Sequence, residues 1–186
     1  AICIAMLCML GGCDGKNVSP LDARIQQTFA ELPSFTAQVN IISCAGQSPL
    51  EYGGLYEYQK EGADTFTLKS PEALSGIGIH ISGEKADEIS VQYAETVLEP
   101  GLPAQPGMTP ADAVPTLLDL LRNAAPQETW EETIGGAKMA AARYETDDGN
   151  LTYQIWLTQE SLKLSYAECY ADGERVLQIS FREYQT

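Results

Sequence analysis

Apolar and polar residues alternate with a period of two along most of this chain, and the period lengthens to that of a helix in two places. Leu21, Ile25, Phe29 and Leu32 recur at spacings of four, four and three, which predicts a helix with one apolar face. Ser19-Pro20 offers a cap and a first-turn proline, Asp22 places negative charge at the positive end of the helix dipole, and Pro33 stops the run. Val114, Leu117, Leu118 and Leu121 predict a second, shorter helix opened by Thr109-Pro110. Pro115 interrupts that window, so its main body is expected over 115–123.

Everywhere else the period is that of a half-buried strand. From Phe35 to Cys44, Phe35, Ala37, Val39 and Ile41 alternate with Thr36, Gln38 and Asn40. The pattern returns at Tyr56 and Tyr58, at Phe66 and Leu68, at Ile77, Ile79 and Ile81, and at Ile89, Val91 and Tyr93. Gly53-Gly54, Gly62-Ala63-Asp64 and Ser82-Gly83-Glu84 read as the turns between these strands, which predicts an antiparallel meander with one wet and one dry face. Residues Glu99 to Pro110 carry four Pro and two Gly and read as a long loop within the domain, because periodicity resumes on both sides. After Pro126 strands return. Ala140, Ala142 and Tyr144 share a face, as do Leu151, Tyr153, Ile155 and Leu157, then Leu162 and Leu164, and finally Leu177, Ile179 and Phe181. Asp147-Asp148-Gly149-Asn150 and Ala171-Asp172-Gly173-Glu174 supply the turns.

Charge narrows the function classes. The chain of 186 residues carries 26 Asp and Glu against 11 Lys and Arg, a net charge of −15, so it has no basic footprint with which to displace counterions from nucleic acid. With 44% apolar residues, nine Tyr and two Trp it has the material for a core, which argues against disorder. Five Cys in a chain of this length do not make a disulfide scaffold.

Residues 1–12, AICIAMLCMLGG, contain no charge, but twelve residues fall short of the roughly 20 needed to cross a bilayer as a helix. The length suits the apolar part of a signal peptide. Leu10-Gly11-Gly12-Cys13 resembles the lipobox of bacterial lipoproteins, in which the Cys takes a diacylglycerol and becomes the mature N-terminus. Residues 1–12 are therefore expected to be part of a signal peptide whose Met and basic region precede them. Residues 13–18 are expected to be the lipidated Cys13 and a polar tether, and 19–186 a single domain. The expected location is the outer face of the cell membrane.

Catalytic signals are weak. His80, the sole imidazole, lies opposite Ile77, Ile79 and Ile81 and reads as a half-exposed strand residue. No GxSxG elbow, dinucleotide fingerprint or P-loop occurs, and the carboxylate pairs Glu131-Glu132 and Asp147-Asp148 fall at edges or turns. The chain reads as a non-enzyme without metal or cofactor. Three groups of residues remain as candidate sites. Ile25 and Phe29 with Leu117, Leu118 and Leu121 are either plain core or the lining of an acyl-chain cavity. Trp156 falls on the polar face of its strand, as an exposed anchor for a partner or as an aromatic covered by a neighbour. Cys44 and Cys169, both assigned by parity to the more polar faces, are either two free thiols or a disulfide formed beyond the membrane.

The order of elements resembles that of the LolA/LolB-like lipoprotein carriers and, among them, of GerS-type germination lipoproteins. Phe35-Thr36-Ala37, Tyr56-Glu57-Tyr58 leading to Ser70-Pro71-Glu72, and Ile77 to Gly83 carry the likeness. So do the loop and helix from Thr109 to Leu121, Tyr153 to Leu157, and Tyr170-Ala171-Asp172-Gly173. The resemblance implies an α+β fold, an antiparallel open half-barrel sheet wrapped around an N-terminal helix and a short central helix, with an apolar cavity between. It implies a lipid or lipoprotein acyl chain as ligand, or else a regulatory lipoprotein that docks a cell-envelope or spore-cortex enzyme.

Overall fold

Ser19 and Asp22 cap the first helix reciprocally. In the computed structural model, which describes residues 19–44, 48–82, 88–98 and 106–186, the Ser19 hydroxyl accepts from the Asp22 amide at 3.1 Å and the Asp22 carboxylate accepts from the Ser19 amide at 3.1 Å. Helix α1 (Pro20–Glu31) follows, with Ile25 and Phe29 buried at 0% and 1% exposure and Leu21 and Leu32 half-buried at its ends. Helix α2 (Ala113–Asn123) starts two residues earlier than expected. Pro115 is thus its third residue, where the missing N–H has no intrahelical partner to lose, so the proline does not break the helix.

The strands form one antiparallel sheet of two meanders. The first runs β1 (Ser34–Ser43), β2 (Leu50–Gln59), β3 (Asp64–Ser70), β4 (Gly78–Ser82), β5 (Glu88–Tyr93) and β6 (Thr96–Leu98). The second runs β7 (Glu128–Ile134), β8 (Ala137–Glu145), β9 (Leu151–Thr158), β10 (Leu164–Ala171) and β11 (Glu174–Gln185). β1 pairs with β11, joining the two meanders at the middle of an open half-barrel whose described edges are β6 and β7. The inner face carries the alternating positions read from the sequence, and both helices pack on it. α1 spans this face from one meander to the other. The Thr129 hydroxyl on β7 donates to Asp22 at 2.7 Å near its start, and Lys60 in the β2–β3 turn donates to the Ala30 carbonyl at 2.7 Å near its end.

The structure corrects four expectations. Gly53-Gly54 is not a turn but lies inside β2, at a register shift against β3. A Cβ on Gly54 would sit 2.2 Å from the Thr67 carbonyl oxygen, so glycine is there for close backbone approach. β6 and β7 give no signal in the sequence because neither has an apolar alternation. Every residue of β6 is exposed, and β7 consists of Glu, Thr and Trp up to an exposed Ile134 at its end. Tyr93 was expected on the dry face but is 61% exposed, since the sheet beyond β5 consists of only the three residues of β6. Cys169 is fully buried on the inner face, not on the polar one. A register shift between Leu164 and Tyr166 reverses the parity of β10, so Leu164, Ala167 and Cys169 all point inward. Cys13, the segments 1–12 and 13–18, and most of the Pro-rich loop lie outside the described residues.

Candidate functional site

The inner seam brings together all five of the residues expected to line an acyl site. Ile25, Phe29, Leu117, Leu118 and Leu121 each retain 0–1% exposure and belong to one cluster with the inward side chains of both meanders. α2 buries more than a stripe, since Ala113, Val114, Pro115 and Leu120 are covered as well. A helix apolar almost all round is a buried element, wrapped by sheet on one side and by α1 on another.

Few directional bonds hold this helical layer. At the C-terminal end of α2, Arg122 donates to the Tyr58 hydroxyl at 2.8 Å and sits over its ring with 5.5 Å to the centroid, and Gln26 of α1 donates to the Arg122 carbonyl at 3.3 Å. At the other end, the Asp112 carboxylate is 3% exposed and accepts from the Gly107 amide at 2.7 Å and the Thr109 amide at 2.9 Å, while the Tyr153 hydroxyl donates to the Gly107 carbonyl at 2.6 Å. Gly107 has φ +90°, and a Cβ there would meet the Tyr153 hydroxyl at 2.9 Å. This clasp fixes the end of the Pro-rich loop to the start of α2. Apolar contact carries the remainder of the seam.

Asp64 is the one ionisable carboxyl on the inner wall of β3, and the sequence reading overlooked it. Its spacing with Phe66 and Leu68 puts it on the dry face, although Gly62-Ala63-Asp64 also has the composition of a turn. Tyr56 donates to it at 2.6 Å and the Gln59 amide at 3.3 Å. Burial pushes its carboxyl above the usual range, against these hydrogen bonds and the charge of Arg122. A carboxyl whose folded pKa is raised binds its proton more tightly in the folded state. The resulting penalty appears as pH rises through its ordinary value of 3.8 and is complete above the raised native one. Asp64→Asn should therefore flatten the melting-temperature profile in that window. Neutral-pH stability should rise by up to that penalty, because the amide carries no charge to bury and can face both Gln59 and Tyr56. A profile as steep as that of the unsubstituted protein would contradict the assignment.

The outer face holds the other candidates. Trp156 keeps 9% of its surface, so the covered alternative is the one observed. It packs edge-on against Trp130 with centroids 6.3 Å apart and against Tyr166 at 5.5 Å, over Met139 and Ala141. Both indoles donate to one carboxylate oxygen of Glu132, at 2.8 Å from Trp130 and 2.5 Å from Trp156. Beside them Glu168 accepts from Tyr166 at 2.8 Å, Tyr170 at 2.5 Å and Arg175 at 2.8 Å. Burial works against its ionisation, but these bonds outweigh burial and hold the carboxyl below its ordinary range. Trp130 sits two residues from Glu132, and Tyr166 and Tyr170 two residues either side of Glu168, so period-two spacing alone places them together, whereas Trp156 and Arg175 reach these carboxylates from neighbouring strands.

The two thiols are both free. Cys169 faces the core, where burial pushes it up to about 11. Cys44 follows β1 with its amide bonded to the Val176 carbonyl at 2.8 Å, on the outward parity. Facing opposite sides of the sheet, they do not form the disulfide considered above. His80 sits between Thr65 and Gln92, each 3.2 Å from a ring nitrogen, as a half-exposed strand residue.

A domain from Vibrio parahaemolyticus described as an outer membrane lipoprotein-sorting protein superposes with a TM-score of 0.52, at 10% identity, over 88% of this chain and 90% of its own. The two share a fold, an open antiparallel sheet around two helices. An uncharacterised conserved protein from Thermus thermophilus shares it, with a TM-score of 0.54, 8% identity, and 89% and 84% of the two chains covered. A chain from the complex of the CwlD amidase with the GerS lipoprotein of Clostridioides difficile scores 0.46 at 15% identity, over 88% and 92%. By sequence, no family model and no curated protein matches. At such identities the lipoprotein-sorting likeness concerns the path of the chain, the open sheet around two helices, and leaves the chemistry of the seam to this protein's own residues.

Proposed function

We propose that this protein is a lipid-anchored, extracytoplasmic, non-enzymatic lipoprotein whose half-barrel binds an apolar chain, a lipid or the acyl chain of another lipoprotein. One observation supports the reading above others. The seam of Ile25, Phe29, Leu117, Leu118 and Leu121 against the inner sheet is continuous and apolar, and the helical layer is tied down at its ends with few bonds between. An acyl chain that lifts α2 exchanges apolar contact for apolar contact, gaining about 0.8 kcal/mol for each methylene it buries. The ligand needs no ionic clamp, which suits a chain of net charge −15. Titration with dansylaminoundecanoic acid tests this. A saturable rise in fluorescence that palmitate competes away is expected, and a signal that neither saturates nor competes would refute it.

Anchoring is part of the same proposal. Cys13 would carry the diacylglycerol, with 13–18 as tether and 19–186 as the binding domain. Cys13→Ser should move the protein from the membrane to the soluble fraction on cell fractionation. Persistence of the variant in the membrane with normal processing would exclude lipidation at this residue.

A second reading, a regulatory lipoprotein that docks an envelope enzyme, is favoured by a different observation. Edge strand β6 exposes Val97 at 57% and Leu98 at 60%, next to Tyr93 at 61%. An apolar sheet edge is a site where a partner's strand can add.

A further inference from the structure

On the outer face, where the β8–β9 and β10–β11 turns come side by side, lies an open cleft of about 480 Å³ that the acyl reading does not use. We infer that this cleft binds a short neutral saccharide. Its wall is polar and mixed. Three planar amides, Gln127, Asn150 and Gln154, line it together with the Thr152 hydroxyl and the ring of Tyr170. Glu145 and Asp172 are its carboxylates and Arg143 its cation.

Several of these groups are already positioned by neighbours. Tyr170 is tied by its hydroxyl to Glu168 at 2.5 Å, the Asn150 amide donates to Asp148 at 2.7 Å, and Gln127 donates to Glu145. The side chains of Thr152, Gln154 and Asp172 make no hydrogen bond among the described residues, so they are left to serve a ligand. The cleft stands over β8, β9 and β10, each held between two neighbouring strands.

Ligand classes separate on this chemistry. A lipid needs an apolar wall, which is absent from this lining. A phosphate needs surplus cation, but Arg143 is paired with Glu128 at 2.8 Å and two carboxylates share the wall. An extended peptide needs free backbone groups, yet β8, β9 and β10 are each paired on both sides. An uncharged, hydroxyl-rich ligand fits what is left. Each hydroxyl both donates and accepts, as amides do in fixed geometry, and the C–H face of a pyranose packs on an aromatic ring. The site is on the face opposite the seam, so the inference stands whether or not an acyl chain binds there.

The test is NMR titration of the full chain with triacetylchitotriose and, separately, maltotriose. Saturable shifts at the Gln154 and Asn150 side-chain amides are expected with at least one of them. Tyr170→Ala and Gln154→Ala should each weaken binding at least tenfold, whereas Tyr170→Phe should keep it, because the hydroxyl is engaged with Glu168. The Gln154 side chain makes no hydrogen bond among the described residues, so its variant reads the site even if Tyr170→Ala disturbs the strand. Absence of saturable shifts with both sugars would overturn the inference. So would binding that both alanine variants retain, or the same residues responding instead to inorganic phosphate or to a lysine-rich peptide.

Discussion

Leu118→Ala is expected to cost about 2–5 kcal/mol, because Leu118 is 1% exposed at the meeting of α2, α1 and the inner sheet. For a domain of this size each kcal/mol lowers the melting temperature by about 2–4 °C, so a drop of about 4–20 °C should appear in calorimetry. The variant also separates a lining residue from plain core. Removing the isobutyl group leaves a void along the seam that an acyl chain of suitable reach can fill. Palmitate should then restore more of the melting temperature in the variant than it adds to the unsubstituted protein. If the variant loses the stability and recovers none of it with fatty acid, Leu118 serves packing alone and the acyl reading loses its main support.

Trp156→Ala should be nearly as damaging, at about 3–5 kcal/mol, although Trp156 lies on the outer face of the sheet. Its indole is closed in by Trp130, Tyr166 and Met139, and its N–H shares the Glu132 oxygen with Trp130. In the unsubstituted protein, acrylamide should quench Trp156 poorly. In the variant, the emission of Trp130 should shift to the red as it loses its edge-on neighbour. A variant that melts normally but no longer captures an envelope partner would make Trp156 a binding anchor and not a part of the fold.

The sequence was most legible where one rule acted alone. Helix α1 is given by Ser19, Pro20, Asp22 and the spacing of Ile25 and Phe29, and the structure adds only that Asp22 also holds Thr129 of β7. The long strands β1, β9 and β11 follow from strict alternation. The glycines of β2 were misread because the same residue serves a turn and a close approach of two strands, and only the Thr67 carbonyl beside Gly54 distinguishes them. Parity predicts the face of Cys169 only while register holds, and the extra residue that β10 carries between Leu164 and Tyr166, against one step of β9, shows only once the two strands are paired.

The candidate sites divide along the same line. The amino-acid sequence by itself determined the α+β class, the two apolar helices, the two-faced sheet and the set of five seam residues, since each depends on periodicity within one segment. Tertiary structure alone decided that Trp156 is covered, that the two thiols face opposite sides, that Asp64 sits on the inner wall bonded to Tyr56, and that the outer cleft exists. These features depend on which strands become neighbours and in what register. Pairing between strands far apart in the chain, such as β1 with β11, is a property of the whole sheet that no local pattern encodes.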